Sequence, residues 1–223
     1  MKDFVAIAVS GLLGFIGATP ADAVGVRHQN PVLLVHGIYD SAASMRVMKQ
    51  WLKSQGWKVH ELSLVPNDGR LPLEELARQV DTFVSATFVQ GQKFDMVAFS
   101  MGGIVCRYYL QRMAGERRVS RFVQISSPNH GTWTASLFSK PGCVQMRRDS
   151  QFLKSLNSDV SGLAKVQFTT IWTPLDLVIL PATSSVMPIG KNIRLWVLAH
   201  PLMVVQPSVF RAVANALSQA VPE

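Results

Sequence analysis

Short segments made almost entirely of apolar residues alternate along this chain with segments whose apolar residues recur every three or four positions. The run PVLLV at positions 31–35 is the clearest apolar segment, and residues 73–87 have the clearest helical period. A solid apolar run is typical of a strand buried on both faces, and the longer period indicates an amphipathic helix. The alternation therefore predicts a parallel sheet that is covered by helices on both faces.

We expect an α/β fold with a mostly parallel six-stranded sheet and a small insertion after the fourth strand. The predicted strands are 31–35, 57–65, 94–99, 121–126, 166–172 and 193–198, and the predicted helices are 42–54, 73–87, 101–114 and 208–220. The pattern becomes irregular between residues 127 and 161, with one short helix around 151–156, which indicates an insertion. No repeat or linker divides residues 24–223, so one domain is expected.

The N-terminal segment has the features of a secretory signal peptide. Residues 4–18 are apolar, and Ala21-Asp22-Ala23 follows as a cleavage signature. An apolar stretch of about 15 residues is short for a membrane span. We therefore predict a signal peptide over residues 1–23, cut after Ala23, and a secreted or periplasmic mature chain. An uncleaved membrane anchor is the alternative, because Asp3 offsets the charge of Lys2.

Composition excludes several classes of function. The formal charge is +8, but the basic residues are scattered and accompany no nucleic-acid-binding motif, so no nucleic-acid partner is expected. Hydrophobic residues make up 48% of the chain, which is enough for a folded core. No C-x-x-C, H-E-x-x-H, Walker loop or G-x-G-x-x-G occurs, so we predict no metal and no cofactor. Whether Cys106 and Cys143 pair, and the oligomeric state, are left open.

A serine stands at the junction between the third predicted strand and the helix that follows it. In the segment AFSMG, small residues lie two positions before and two positions after Ser100. We expect Ala98 and Gly102 to crowd each other where the strand turns sharply into the helix. Such a bend holds the hydroxyl out of the core, beside the free N–H groups of the helix N-terminus. Ser100 is the predicted nucleophile, and a purely structural turn is the alternative.

A serine hydroxyl needs a base to take its proton, and the chain has five histidines. His28 precedes the first strand and is expected to be a surface residue, and His60 lies within the second strand and is expected to be part of the sheet. His36 ends the first strand and should shape the next loop, and His130 lies near the site but precedes the acid in sequence. His200, which we expect at the end of the sixth strand, is the predicted base, and a packing histidine is the alternative.

The base needs a carboxylate that orients its ring. Asp176 follows the fifth predicted strand and precedes a run of apolar residues, where a carboxylate is costly unless it is paired. We predict Asp176 as this acid, with Asp159 as the second choice. Two N–H donors should stabilise the tetrahedral intermediate. We expect them from Met101, directly after the nucleophile, and from Ile38, where Gly37 lets the backbone turn toward the site.

Several segments together resemble the α/β-hydrolase superfamily: VLLVHGI, VAFSMGG, SSPNHGT, TPLDLVILP and LAHPLMV. The chain is similar to small bacterial secreted lipases and esterases over nearly its whole length from Pro31 onward. The resemblance implies the minimal α/β-hydrolase fold and hydrolysis of carboxylic esters through an acyl-enzyme. The catalytic histidine of these proteins often follows a glycine, whereas Ala199 precedes His200 here.

The resemblance also implies that the insertion, at about 129–160, carries a lid or an acyl-binding cap. We expect the substrate to contact His36, Gly37, His130 and Trp133. The predicted function is a secreted triacylglycerol lipase or carboxylesterase, with a lipid or small ester as substrate and a lipid surface as a further contact. An acyltransferase or thioesterase that uses the same three side chains is the alternative, and a binding protein that keeps only the fold is a second one.

Overall fold

The computed structural model describes residues 30–221. The signal peptide predicted over residues 1–23, its cleavage after Ala23 and the alternative anchor lie outside these residues, as does His28. Between residues 30 and 221, no helix combines the length and the apolar character that crossing a bilayer requires.

Six parallel strands form a single sheet in the order β2-β1-β3-β4-β5-β6. Their bounds are β1 Val32–Val35, β2 Val59–Leu62, β3 Phe94–Phe99, β4 Val119–Ile125, β5 Gln167–Trp172 and β6 Lys191–Arg194. This architecture confirms the predicted fold class, and every described strand pair is parallel.

Helices connect the strands and cover both faces of the sheet. Their bounds are α1 Arg46–Ser54, α2 Leu73–Thr87, α3 Met101–Arg112, α4 Pro141–Gln145, α5 Gln151–Ser158, α6 Ser161–Ala164 and α7 Pro207–Leu217. Short 3-10 helices precede α1 at Ala42–Met45, follow α3 at Gly115–Arg117, and occur at Trp133–Leu137, Ala182–Ser185 and His200–Val204.

The central strands are solid apolar runs because each of their faces meets a helical layer. Leu33 and Val35 of β1 pack in the cluster that contains α2 and α3. Val32 and Leu34 point to the opposite cluster, which contains α1 and α7. Successive side chains of a strand alternate between faces, so a strand covered on both sides needs apolar residues throughout.

The strand order reverses direction between β1 and β3, which are neighbours although β2 lies between them in sequence. Ligands of parallel sheets bind outside the carboxyl ends of the strands at such a switch point. The segments that leave these two strands begin at His36 and Ser100. The topology therefore brings the loop with His36, Gly37 and Ile38 next to the serine junction.

The edge strands differ most from prediction. The predicted third strand and second helix have the observed bounds, but β2 is shorter than 57–65, and β6 ends at Arg194 instead of residue 198. Trp196 and Leu198 are exposed and Val197 is buried, so the apolar residues that suggested a strand belong to the loop beyond it. An edge strand has only one neighbour, and its hydrophobic pattern therefore marks its ends poorly.

The insertion after β4 is held to the core by a buried arginine. The Arg107 guanidinium donates to Asn129 Oδ1 at 3.0 Å and to Asn157 Oδ1 at 2.8 Å, and it also reaches the carbonyl oxygen of Leu156. No carboxylate within residues 30–221 forms an ion pair with it. These bonds connect α3 to the start of the insertion and to α5. Cys106 and Cys143 do not pair with each other, since both are free and buried.

Candidate active site

Ser100 occupies a strained turn between β3 and α3. Its backbone has φ 53° and ψ −125°, a combination that non-glycine residues rarely adopt. The strain costs on the order of 1–3 kcal/mol and is held by the surrounding structure, here by the Ser100 N–H bond to the Ile125 carbonyl at 2.8 Å. The residue is buried but lies directly at the N-terminus of α3. Strain of this kind is characteristic of a serine nucleophile at a strand-to-helix turn.

Position 102 must be glycine because it lies against the carboxyl end of β1. The predicted reason, crowding between Gly102 and Ala98, is different. A Cβ at position 102 would overlap the carbonyl oxygen of His36 and lie 3.0 Å from that of Val35. Gly37 makes a similar close approach, because a Cβ there would lie 3.0 Å from the Cβ of Ser100. The loop after β1 therefore packs closely on the serine turn, with Gly102 against backbone carbonyls and Gly37 against the side chains of Ser100 and Phe99.

His36 fixes the loop after β1 through both of its ring nitrogens. Its Nδ1 donates to the Gly37 carbonyl at 2.8 Å, and its Nε2 accepts the Leu64 N–H at 2.9 Å. The side chain is completely buried, and burial lowers the pKa of His36 and keeps the ring neutral. Both ring nitrogens are occupied, which agrees with the expected role of His36 in shaping the loop, and its predicted contact with substrate stays a prediction.

Asp176 and His200 form a buried hydrogen-bonded pair. The Nδ1 atom of His200 lies 2.7 Å from Oδ2 of Asp176. The other carboxylate oxygen, Oδ1, accepts the backbone N–H groups of Val178 at 2.9 Å and Ile179 at 2.8 Å. These bonds hold the carboxylate in one orientation, and the carboxylate in turn orients the imidazole ring.

The ring of His200 packs on the residue that precedes Ser100. The ring centroids of Phe99 and His200 are 4.6 Å apart. In residues 30–221, the second ring nitrogen of His200, Nε2, has no hydrogen-bond partner. The pair formed by Asp176 and His200 therefore lies against the serine turn, with one imidazole nitrogen unoccupied.

His200 does not end the sixth strand as predicted. It is the first residue of the 3-10 helix His200–Val204, six positions beyond Arg194. Thr173, which was not among the predicted site residues, holds this segment. The Thr173 hydroxyl donates to the Val197 carbonyl at 2.7 Å and accepts the Val197 N–H at 3.2 Å, which replaces a strand pairing with a side chain.

The two amides predicted to stabilise an oxyanion are unoccupied. Within the described residues, neither the N–H of Ile38 nor that of Met101 has a hydrogen-bond acceptor. The Met101 amide lies at the N-terminus of α3, where N–H groups lack partners inside the helix and the helix dipole favours negative charge. These groups are available to a ligand oxygen at the serine turn.

Two other residues predicted to contact substrate, His130 and Trp133, lie in the insertion. The His130 ring bonds the Val186 carbonyl at 3.1 Å, and burial lowers its pKa. Trp133 is 58% exposed, with the guanidinium of Arg148 over its ring. In residues 30–221, neither side chain is hydrogen-bonded to Ser100 or to the acid–base pair.

The first turn of the insertion is nevertheless tied to the loop that carries Asp176. The Thr132 hydroxyl donates to the Val178 carbonyl at 2.8 Å and accepts the Leu180 N–H at 2.9 Å. A separate cavity of about 710 Å³ opens between α3 and the insertion, but it includes none of the residues predicted for catalysis.

Ser126 is a second strained serine that the sequence did not single out. It follows Ile125, which is in register with Phe99, so Ser126 is next to Ser100 across the sheet. Its φ is 45°, and its hydroxyl is buried with no partner in the described residues. The only signal in the sequence was its place at the carboxyl end of a predicted strand.

The family model described as palmitoyl protein thioesterase matches residues 31–175. The chain belongs to the palmitoyl protein thioesterase family. The matched residues include Ser100 and the loop after β1, and the match ends one residue before Asp176.

A curated relative within this thioesterase family supports the same assignment. The lysosomal thioesterase PPT2 of Bos taurus is 35% identical over 111 residues, which cover 46% of this chain and 35% of the relative. The chain therefore spans about a third of the length of the curated relatives that it matches.

Solved structures of lipases share the fold of this thioesterase-family chain. The mature lipase BlEst2 of Bacillus licheniformis has a TM-score of 0.71 at 16% identity, covering 86% of this chain and 93% of its own. Lipase B of Aspergillus fumigatus has a TM-score of 0.75 at 20% identity, covering 89% of this chain and 54% of its own. These likenesses confirm the predicted α/β-hydrolase fold.

Proposed function

We propose that this protein hydrolyses acyl thioesters through a covalent acyl-enzyme on Ser100, with His200 as the base and Asp176 as the residue that orients it. The observation that carries the proposal is the buried 2.7 Å bond between Asp176 and His200, whose ring packs beside the strained Ser100 turn. A buried carboxylate on one imidazole nitrogen leaves the other nitrogen as the proton acceptor for a serine hydroxyl.

The chemistry follows from these positions. Ser100 Oγ attacks the acyl carbonyl while Nε2 of His200 takes its proton. The N–H groups of Ile38 and Met101 stabilise the negative oxygen, and removing one such donor typically costs about 2.7–4 kcal/mol. The thiol leaves with the proton from His200. A water molecule, deprotonated by the same ring, then releases the acid and restores the serine.

Membership of the palmitoyl protein thioesterase family supports a thioester with a long acyl chain as the substrate. A thioesterase was the alternative prediction from the sequence, and we now prefer it to the first prediction, a triacylglycerol lipase or carboxylesterase. Hydrolysis of lipid oxygen esters is the second candidate, because exposed apolar side chains of the insertion, among them Leu137, suit either kind of acyl group. Secretion stays a prediction from the N-terminal segment.

Labelling with a fluorophosphonate tests the nucleophile. Wild-type protein should become labelled at Ser100, and Ser100→Ala should not. Ser126→Ala is the matched control, because it removes the neighbouring strained serine and should keep the label. Labelling of Ser100→Ala at an undiminished rate contradicts the proposal.

The substrate class is tested with one acyl chain in two linkages. We expect a higher kcat/KM for palmitoyl-coenzyme A than for p-nitrophenyl palmitate, with both activities lost in His200→Ala. The opposite preference would favour the lipase candidate while leaving the acyl-enzyme mechanism in place. Near-normal turnover by His200→Ala would show that the wrong base has been assigned.

A further inference from the structure

The exposed apolar side chains of this protein are concentrated at the edge of the sheet where the site lies. Two exposed large apolar side chains within residues 30–221 lie elsewhere, Val47 in α1 and Val89 after α2. All the others lie in a loop, a 3-10 helix or the insertion that follows the carboxyl end of a strand. These residues are Tyr39, Val65, Trp133, Leu137, Phe138, Val144, Leu175, Leu177, Val178, Trp196, Leu198 and Val205. We call this set the apolar rim.

The apolar rim is too exposed to be explained as packing within the domain. Leu137 is 80% exposed, Leu198 is 77% exposed and Trp196 is 71% exposed. The rim extends from the segment after β2 to the segment after β6, at opposite ends of a six-stranded sheet. Six strands at about 4.8 Å spacing span far more than the width of one acyl chain. Exposed apolar side chains concentrated at one edge of a domain mark an interaction site.

Each of the three most exposed aromatic rings of the rim is accompanied by a cation. Lys140 Nζ lies 5.5 Å from the Tyr39 ring centroid, the Arg148 guanidinium lies 4.9 Å from that of Trp133, and the Arg194 guanidinium lies 5.7 Å from that of Trp196. Lys140 also bonds Asp68. No carboxylate within residues 30–221 forms an ion pair with Arg148 or Arg194.

We propose that the apolar rim docks this protein onto a lipid bilayer that contains anionic headgroups. Tryptophan and tyrosine favour the interface between headgroups and acyl chains, since one end of each ring system is apolar and the other polar. Basic side chains beside them are attracted by a negative lipid surface, at about 1 kcal/mol for each charge. The pairing of aromatic rings with cations around one edge therefore matches an anionic membrane.

The docking places Ser100 toward the bilayer, because the serine turn and the rim share the carboxyl edge of the sheet. The inference rests on the proposed function for its purpose, which is to receive an acyl chain anchored in a membrane. Its test does not depend on catalysis.

Vesicle flotation of the full chain tests the docking. We expect wild-type protein to bind phosphatidylcholine vesicles containing phosphatidylserine, and the double variant Trp196→Ser, Leu198→Ser to bind about tenfold more weakly. Val89→Ser is the matched control, because Val89 is 76% exposed but precedes β3 at the opposite edge. Equal vesicle binding by the double variant and wild type overturns the proposal.

The charge contribution has its own pair of variants. Arg148→Gln and Arg194→Gln should each weaken binding to these vesicles about fivefold and leave the weaker binding to pure phosphatidylcholine unchanged. Lys58→Gln, at the exposed residue before β2, should have no effect. If Arg148→Gln and Arg194→Gln bind these vesicles as tightly as Lys58→Gln does, the assignment of an anionic surface is overturned.

Tryptophan fluorescence gives a readout that is independent of the N-terminal segment, since residues 1–29 contain no tryptophan. Lipids brominated in their acyl chains should quench the wild-type emission, and Trp196→Phe should lose part of this quenching while keeping vesicle binding. No quenching in the wild type, or a dimer formed through the rim without vesicle binding, contradicts the proposal.

The proposed function and the docking fail separately. Ser100→Ala should lose fluorophosphonate labelling but bind vesicles normally. The double variant Trp196→Ser, Leu198→Ser should bind vesicles weakly but hydrolyse a soluble short-chain thioester at the wild-type rate.

Discussion

The predicted nucleophile and the predicted acid–base pair lie in regions of this molecule that are held together in different ways. Around Ser100, the strands are buried on both faces, and Gly37 and Gly102 let the loop after β1 pack closely on the serine turn. Around Asp176 and His200, the neighbouring strand β6 is an exposed edge, and side chains such as Thr173 maintain the connections. The family match covers the first region and ends at residue 175, before the second.

Because of this difference, the role of Ser100 and the roles of Asp176 and His200 are supported by different observations. Ser100 is supported by family membership and by its strained backbone together. Asp176 and His200 are supported by their mutual geometry alone. The acid–base region is therefore the place where experiments on the proposed mechanism are most informative.

The largest effect is expected from Asp176→Asn. The amide cannot hold the imidazole in the tautomer that accepts a serine proton, so kcat should fall by about 10⁴-fold. Asp159→Asn is the control, because the second-choice carboxylate bonds Ser161 and Arg112 at the surface. Steady-state hydrolysis by the two variants measures the difference, and a larger loss in Asp159→Asn would reverse the assignment.

The next effect tests the packing around the nucleophile. Gly102→Ala forces a methyl group against the His36 carbonyl and should lower the free energy of unfolding by about 3 kcal/mol. Gly91→Ala meets no neighbour and suffers only from its positive φ, so its cost should be about 1 kcal/mol. Urea titration of both variants checks the ranking. Equal losses would mean that the two chain segments separate easily.

In the acid–base region, Thr173→Val should have a moderate effect. It removes both hydrogen bonds to Val197 while keeping the shape of the side chain, which should cost about 2 kcal/mol of stability and reduce kcat. Thr170→Val is the matched control in the preceding strand. The Thr170 hydroxyl is buried without a partner in the described residues, so its loss should be neutral or stabilising. An unchanged kcat in Thr173→Val would show that Val197 does not control His200.

The smallest effect is expected from the pH dependence of stability. Because burial lowers the pKa of His36, the unfolded chain binds a proton below about pH 6.5 that the folded chain does not. Stability should therefore fall as the pH is lowered through that value, and His36→Gln should make the fall shallower. Burial raises the pKa of Asp95 to about 6, which acts in the opposite direction, so Asp95→Asn should steepen the fall. Thermal unfolding between pH 7 and pH 5 measures both slopes.

Much of the fold was predictable because the burial of the central strands is visible in their sequence as continuous apolar runs. The segments around β3 and α2 had the expected bounds, since a strand between two helical layers must be apolar throughout and a surface helix must be amphipathic. The edge of the sheet was less predictable. At β6, the exposed apolar residues beyond Arg194 continued the strand pattern, although they belong to the rim.

The candidate site was predictable where chemistry restricts the residue type. Asp176 was selected because an unpaired carboxylate is costly among apolar residues, and it bonds His200. The two bonds of the His36 ring, to the Gly37 carbonyl and the Leu64 N–H, were not predictable, because these partners depend on tertiary contacts. Thr173 and Ser126 were not selected for the same reason, since a threonine or serine at the end of a strand has many ordinary roles.

The backbone contact between Gly102 and the carbonyl of His36 has a consequence for how new specificities could arise. This contact holds the serine turn and the loop after β1 together as one rigid unit, and position 102 tolerates almost no change of residue. The insertion, by contrast, is joined to the domain through side chains, by the polar bonds of Arg107 and by the apolar packing of Leu153 and Leu156, and side-chain contacts can change in sequence more freely than a backbone contact. Exchanging residues 129–160 between homologous proteins should therefore change which molecules are accepted while leaving the reaction itself intact.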